Sequence, residues 1–226
     1  MNTISRFFSV AFMQLKDLWK ALMLLYAPIA GLFLIVGILS QVIEDASLAF
    51  FLRDVVATAK LPFFAGFVSQ LAGILWSAAV TICLFSAIIM SRRPVEYTKA
   101  KRLFLHGGIL TCALLLDDVF LFHEVIAPKY LHISEKFVML GYLILGAAFV
   151  YLNWNQILAS EYAILLLAVI LFGTSIFLDT LPIKDYHLRY FWEQLELFIE
   201  DGTKFAGIAT WLMYFAREIL IQIETA

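Results

Sequence analysis

Residues 62–90 read PFFAGFVSQLAGILWSAAVTICLFSAIIM, a run of 29 residues without a charged side chain. An α-helix rises about 1.5 Å per residue, so about 20 apolar residues cross a hydrocarbon layer of roughly 30 Å. This run is long enough to cross with residues to spare. It therefore predicts a membrane-spanning helix, and it guides the interpretation of the rest of the chain.

The composition of the whole chain agrees with this prediction. Of its 226 residues, 63% are hydrophobic and 15% are charged, whereas soluble domains have about 45–50% and about 25%. A soluble globule of this size cannot bury so much apolar surface, but a bilayer can. The net charge of −2 gives no electrostatic basis for binding nucleic acid. We therefore predict an all-α, polytopic membrane protein.

Six segments are apolar over all or most of a membrane-spanning length. The predicted spans are residues 21–43, 62–90, 103–126, 137–152, 162–178 and 195–220, within one transmembrane domain that covers residues 21–226. The fourth and fifth spans are short and are joined by the polar stretch 153–156, so a re-entrant pair is an alternative to two full crossings. The helical pattern of the sixth reaches back to about Leu188, and this helix either projects beyond the lipid or breaks at Gly202.

Positive charge is concentrated on one side of the predicted bundle. Its cations precede the first span or lie between the second and third: Arg6, Lys16, Lys20, Arg92, Arg93, Lys99, Lys101 and Arg102. Lys and Arg are enriched in cytoplasmic loops, so we predict cytoplasmic termini in a bacterial inner (plasma) membrane. Residues 1–20 combine these lysines with apolar side chains at helical spacing, which is typical of a short helix on the membrane surface.

The third predicted span carries ionisable side chains at its outer end. Counting about 20 residues from Arg102 places Asp117 and Asp118 about one turn inside the hydrocarbon, and His123 and Glu124 at the interface. A charged group at the centre of a bilayer costs about 2.5–3.5 kcal/mol on insertion scales. We therefore expect these groups to face other polar groups or a water-filled cavity.

Two other predicted spans bring ionisable groups to the same depth. Counting back from Arg217 in the sixth span places Glu200 and Lys204 inside the membrane and Glu196 at its rim, while Asp179 ends the fifth span at this level. Glu196, Glu200, Lys204 and Gly207 are spaced by four, four and three residues, so they share one face of a helix. The bare backbone at Gly207 would let a neighbouring helix approach that face.

Carboxylates with one or two imidazoles are typical ligands of zinc, iron, manganese or calcium. The candidate ligands are Asp118, His123, Glu124, Asp179, His187, Glu196 and Glu200. As an enzyme, the chain would be a metal-assisted hydrolase or transferase acting on a lipid or amphiphile from the outer leaflet, with zinc, iron or manganese as the metal. Asp118, His123, Asp179, Glu196 and Glu200 are then the favoured ligands. Asp117 and Glu124 would do acid–base work, and Lys204 would bind an oxyanion or phosphate.

Two other functions fit the same residues. Lys204 lies one turn from Glu200 and also within reach of the third span, so the charges could form buried pairs that fix how the helices sit together. The chain would then be a non-catalytic subunit or assembly protein of a larger membrane complex. The third function is ion or proton translocation, in which acids and histidines at graded depth form a relay.

The aspartates at the end of the third span, together with His123, resemble those of the membrane hydrolase superfamily of alkaline ceramidases and adiponectin-type receptors. Members of that superfamily have seven spans and bind zinc through histidines on separate helices, including a His-x-x-x-His pair. The present chain has six predicted spans and no such pair. The resemblance is confined to Asp117, Asp118 and His123, and it transfers no mechanism.

Overall fold

The computed structural model describes residues 9, 12–43, 47–94, 97–179 and 189–224, without the side chains of 189–194 and 196. Across these residues the chain is all-helical, as predicted. In chain order the helices are α1 (Trp19–Val42), α2 (Leu48–Leu52), α3 (Val55–Thr58), α4 (Phe67–Ser91), α5 (Thr98–Phe120), α6 (Ala127–Tyr130), α7 (Glu135–Ala159), α8 (Tyr162–Asp179) and α9 (Arg189–Glu224). A π-helical turn, Phe122–Ile126, lies between α5 and α6.

Five of the described helices are long and apolar enough to cross a membrane, namely α1, α4, α5, α7 and α8. This is the architecture of an integral membrane protein. The sixth predicted span corresponds to α9, which is not among the five. Polar and charged residues such as Arg217 and Glu218 interrupt its apolar part.

The chain divides into two compact units, residues 1–65 and 66–226. The first contains α1 to α3, and Pro28 lies inside α1. Of the predicted surface segment 1–20, residues 12–17 are helical, while residues 1–8, 10 and 11 lie outside the described residues. The second unit contains α4 to α9 and all the candidate site residues that are described.

Small residues on α4 and bulky aromatic residues on α9 build the core of the second unit. Ala72, Ala79 and Cys83 lie on one buried stripe of α4, at helical spacing. From α9, Trp211 and Phe215 pack edge to face, with ring centroids 5.3 Å apart. Lipid tails are as apolar as these side chains, so moving a side chain from lipid to protein gains little hydrophobic free energy. Close packing of this kind therefore holds membrane helices together.

Two adjacent glycines let α5 pack closely against the helices on either side. A methyl group at Gly107 would come within 2.4 Å of the Phe215 ring on α9, and one at Gly108 would come within 2.6 Å of Leu84 on α4. At Gly207, a methyl group would come within 2.9 Å of Phe172 on α8. The predicted close approach at Gly207 is therefore confirmed.

Two predicted spans differ in extent from the helices that contain them. The polar stretch 153–156 does not link two short spans, because it lies inside α7, a helix of 25 residues. Its first residue, Asn153, is buried, and its amide is satisfied by donating to the Phe149 carbonyl at 2.7 Å. The helix of the third predicted span, α5, ends at Phe120, six residues before Ile126. Of the two alternatives for the sixth span, the break at Gly202 is wrong, because α9 continues through this residue.

Candidate functional site

The site begins where α5 ends. Leu121 adopts a left-handed conformation with φ of 51°, and the chain turns there into the π-helical turn. A leucine rarely adopts positive φ, so surrounding contacts must hold it there. The turn carries His123 back over the last turn of α5, next to Asp117.

Asp117 is the buried hub of this turn. Its Oδ1 accepts the backbone N–H of His123 and the Tyr142 hydroxyl of α7, each at 2.9 Å. Its Oδ2 lies 2.6 Å from Nδ1 of the His123 ring. With 8% exposure, this carboxylate has exchanged water for three protein donors. Asp117 thus acts as a cap for the π-helical turn, built from the preceding helix.

The carboxylate also orients the imidazole of His123. The 2.6 Å contact between Nδ1 and the carboxylate fixes the orientation of the ring and leaves Nε2 directed away from Asp117. Nε2 lies 3.6 Å from a carboxylate oxygen of Glu124. The exposed fraction of the side chain rises from 10% at Asp117 to 18% at His123 and 52% at Glu124. The imidazole of His123 therefore lies between a buried and an exposed carboxyl group.

Asp118 pairs with a different helix. Its Oδ1 forms an ion pair with Nζ of Lys204 on α9, 86 residues further along the chain. The Asp118 side chain is 11% exposed and that of Lys204 is 41% exposed. Glu124 and Asp201 also attract the Lys204 ammonium electrostatically. The ion pair therefore ties the end of α5 to α9 in a region with an excess of negative charge.

The other predicted site residues are Asp179, Glu200, Glu196 and His187. Asp179 ends α8 with an exposed side chain, and no ion pair to it is present among the described residues. Glu200 is half-buried one turn before Lys204. The side chain of Glu196 and all of His187 lie outside the described residues.

Within the described part of the chain, no three His, Cys, Asp or Glu side chains are arranged to hold a metal ion. The predicted metal site, with Asp118, His123, Asp179, Glu196 and Glu200 as its ligands, is therefore not shown, and it stays a prediction. The carboxylate excess around Lys204 is the feature of this region that would favour a cation.

A groove of about 540 Å³ runs along α4 next to the end of α5. Asp118 lines it together with polar residues of α4, among them Ser69, Gln70 and Ser77. The Ser77 hydroxyl donates to the Gly73 carbonyl of its own helix, so it tolerates an apolar surrounding. The groove therefore places polar side chains of α4 beside Asp118.

Sequence reasoning missed a second set of polar contacts, near the other end of the bundle. Glu218 on α9 is 2% exposed and accepts hydrogen bonds from Gln222, at 2.9 Å, and from Gln156, at 3.5 Å. Arg217, its neighbour in sequence, instead binds Glu161 through two guanidinium nitrogens. The hydrogen bonds from Arg217 hold the pKa of Glu161 below its usual range.

The sequence held a signal for part of this set. Arg217 and Glu218 are adjacent opposite charges in a helix, where successive side chains point about 100° apart, so one of them can face inward. Tyr142, the partner of Asp117, gave no comparable signal in its apolar span.

The fold and the site define a helical integral membrane protein with a polar cluster at one end of its second unit. The chain belongs to the family described as Domain of unknown function (DUF8692), whose model matches residues 22–217. No match was found among curated proteins or among solved structures.

Proposed function

We propose that the chain crosses the membrane six times, with α9 as the sixth crossing and both termini in the cytoplasm of a bacterial cell. Two features support this proposal: α9 buries Trp211, Tyr214 and Phe215 against the other helices, and the cations before α1 and between α4 and α5 lie on one side of such a bundle. Residues 1–20 would then lie along the inner surface of the membrane.

Reporter fusions test this topology. A fluorescent protein fused after residue 226 should be active, and alkaline phosphatase at the same position should be inactive. Fusions placed between α5 and α7 should give the reverse result. An active phosphatase at residue 226 would contradict the proposal.

We further propose that the protein is a non-catalytic subunit or scaffold of a larger membrane complex. The carrying observation is the pairing of the ionisable groups across helices. Asp118 is neutralised by Lys204, and Asp117 receives hydrogen bonds from His123 and Tyr142. Groups held in this way connect α5, α7 and α9, which is what a stable membrane subunit requires.

A double replacement tests the structural role of the ion pair. Removing one partner leaves a charge in a partly apolar place, whereas replacing both with apolar side chains of similar size is often neutral. Asp118→Leu and Lys204→Met should each lower the melting temperature of the purified full chain, and the double variant should regain most of the loss. A double variant less stable than both single variants would contradict a purely structural role.

Metal content and assembly mass complete the test. For a subunit, the purified protein should carry no stoichiometric zinc, iron or manganese, and mild extraction should give particles of defined mass well above 25.7 kDa. A stoichiometric metal that is lost in folded Asp118→Asn would instead support the metal site.

A second candidate is a hydrolase or transferase acting on an amphiphile, with or without a metal. The groove of about 540 Å³ beside Asp118 favours it, together with the imidazole of His123, which the Asp117 carboxylate orients for base catalysis. Long-chain ester or amide lipids presented to the protein in vesicles should then be cleaved. His123→Gln should abolish cleavage, while Glu135→Gln, at the exposed start of α7, should not change it.

A further inference from the structure

A small recess lies between the start of α5 and the end of α7, away from the candidate site. It has a volume of about 100 Å³, and a water molecule occupies about 30 Å³ in the liquid. It therefore has room for a group of a few heavy atoms, such as a phosphate. Lys99 and Arg102 line it from α5, and Asn155 and Gln156 line it from α7.

The two cations of the recess have no anionic partner in the described part of the chain. Ion pairs are present for Lys204 and Arg217, but no carboxylate lies within 4.0 Å of Lys99 or Arg102 among those residues. Both cations are exposed and lie one helical turn apart. The Gln156 amide already donates to Glu218, whereas Asn155 is exposed. The recess thus presents two positive charges next to the Asn155 amide, a combination that binds phosphate oxygens.

Exposed aromatic and apolar side chains border the recess. Tyr151 and Leu152 also line it, and they are 82% and 60% exposed. Tyr and Trp are enriched at the depth of the headgroups. Closer to the start of α7, Ile144 and Leu145 are exposed as well. An acyl chain could therefore lie against this helix, with its headgroup in the recess.

We propose that this recess binds the phosphate group of an anionic phospholipid. In the proposed topology it opens towards the cytoplasmic leaflet, where anionic lipids accumulate and where basic pockets between helices bind their headgroups. The proposal does not depend on the role of the Asp118–Lys204 pair. It assigns to Lys99 and Arg102 a specific contact in addition to a general effect on topology.

The test uses the purified full chain in a neutral detergent. Phosphatidylglycerol should raise the melting temperature of the protein, and phosphatidylcholine at the same concentration should raise it much less. In Lys99→Gln/Arg102→Gln, the apparent affinity for phosphatidylglycerol should fall roughly tenfold or more. The matched control, Arg92→Gln/Lys101→Gln, removes the same charge from the same basic segment, but neither residue lines the recess, so it should bind as the wild type does.

Three outcomes would overturn the proposal. The first is an equal loss in the control variant, which would indicate diffuse attraction to the whole basic segment. The second is an equal effect of millimolar inorganic phosphate alone, which would indicate a soluble phosphate ligand. The third is equal stabilisation by phosphatidylglycerol and phosphatidylcholine. If the double variant does not fold, Asn155→Asp, which adds a negative charge at an exposed lining position, must weaken binding of phosphatidylglycerol for the proposal to stand.

Discussion

Asp117 and His123 are joined twice, through the backbone N–H of His123 and through its ring, although they lie six residues apart. In a regular helix, His123 would lie nearly two turns beyond Asp117. The left-handed residue between them, Leu121, ends α5, and the turn that follows brings His123 to Asp117. One carboxylate therefore holds both the shape of the turn and the orientation of the imidazole.

Asp117→Ala should destabilise the protein. The variant leaves the His123 N–H and the Tyr142 hydroxyl without their acceptor. Both donors are partly buried, and an unsatisfied buried group costs about 1–3 kcal/mol, so each should cost less than a fully buried one. We expect a lower melting temperature and faster hydrogen exchange across residues 121–131. Asp179→Ala, at the exposed end of α8, is the matched control and should change neither. Unchanged exchange in folded Asp117→Ala would show that the turn does not need this carboxylate.

Gly107→Ala should weaken the contact between α5 and α9. The added methyl group would come within 2.4 Å of the Phe215 ring, and overpacking of this kind costs about 1–3 kcal/mol. Gly146→Ala, on α7, has nothing within 4 Å and should be neutral in the same thermal unfolding assay. Phe215→Leu, placed in the Gly107→Ala background, should recover part of the stability. It removes the ring atoms that the new methyl group would contact.

Thr111→Val should also lower the melting temperature. The Thr111 hydroxyl accepts the indole N–H of Trp211 at 2.9 Å, and both residues are buried. Valine keeps the shape but leaves that N–H unpaired, at a cost of about 1–3 kcal/mol. Thr174→Val is the control, since the Thr174 hydroxyl is exposed and donates to the Ile170 carbonyl of its own helix. Equal stability of the two variants would contradict the expectation.

The Glu161–Arg217 pair should make stability depend on pH. The pKa of Glu161 is lowered in the folded protein by its hydrogen bonds to Arg217. A lowered carboxyl pKa contributes stability above the unfolded pKa, about 4.3 for glutamate, and this contribution is lost as the pH falls through the folded pKa. Glu161→Gln should therefore melt below the wild type at pH 7, and the difference should vanish in acid. A difference that stays constant down to about pH 3 would be inconsistent with the ion pair.

The sequence predicted the helices better than their ends. Long apolar runs identify spans because a helix that crosses the hydrocarbon must be apolar over about 20 residues. The helices that contain Trp76 and Leu165 could therefore be predicted without tertiary information. The end of α5 could not be predicted, because nothing in the leucine side chain favours the positive φ of Leu121. The turn around it depends on the Asp117 carboxylate, which also binds the Tyr142 hydroxyl of α7.

The candidate site was predictable only where charge is costly. Lys204 and Asp118 were expected to find partners because charged side chains are unfavourable in hydrocarbon, and the structure pairs them with each other. Tyr142 was missed because a lone tyrosine in a span is ordinary. Asn153 was misread because a polar residue in a short apolar segment suggests a loop, whereas its buried amide bonds to the backbone of its own helix.

The uninterrupted length of α9 has a mechanical consequence. The helix is anchored by Lys204 to α5 and, 13 residues later, by Arg217 to the corner between α7 and α8. These anchors are about 20 Å apart along one rigid rod. A piston movement of one turn, about 5.4 Å, would part both at once. A force applied at either end of α9 is therefore transmitted to the other.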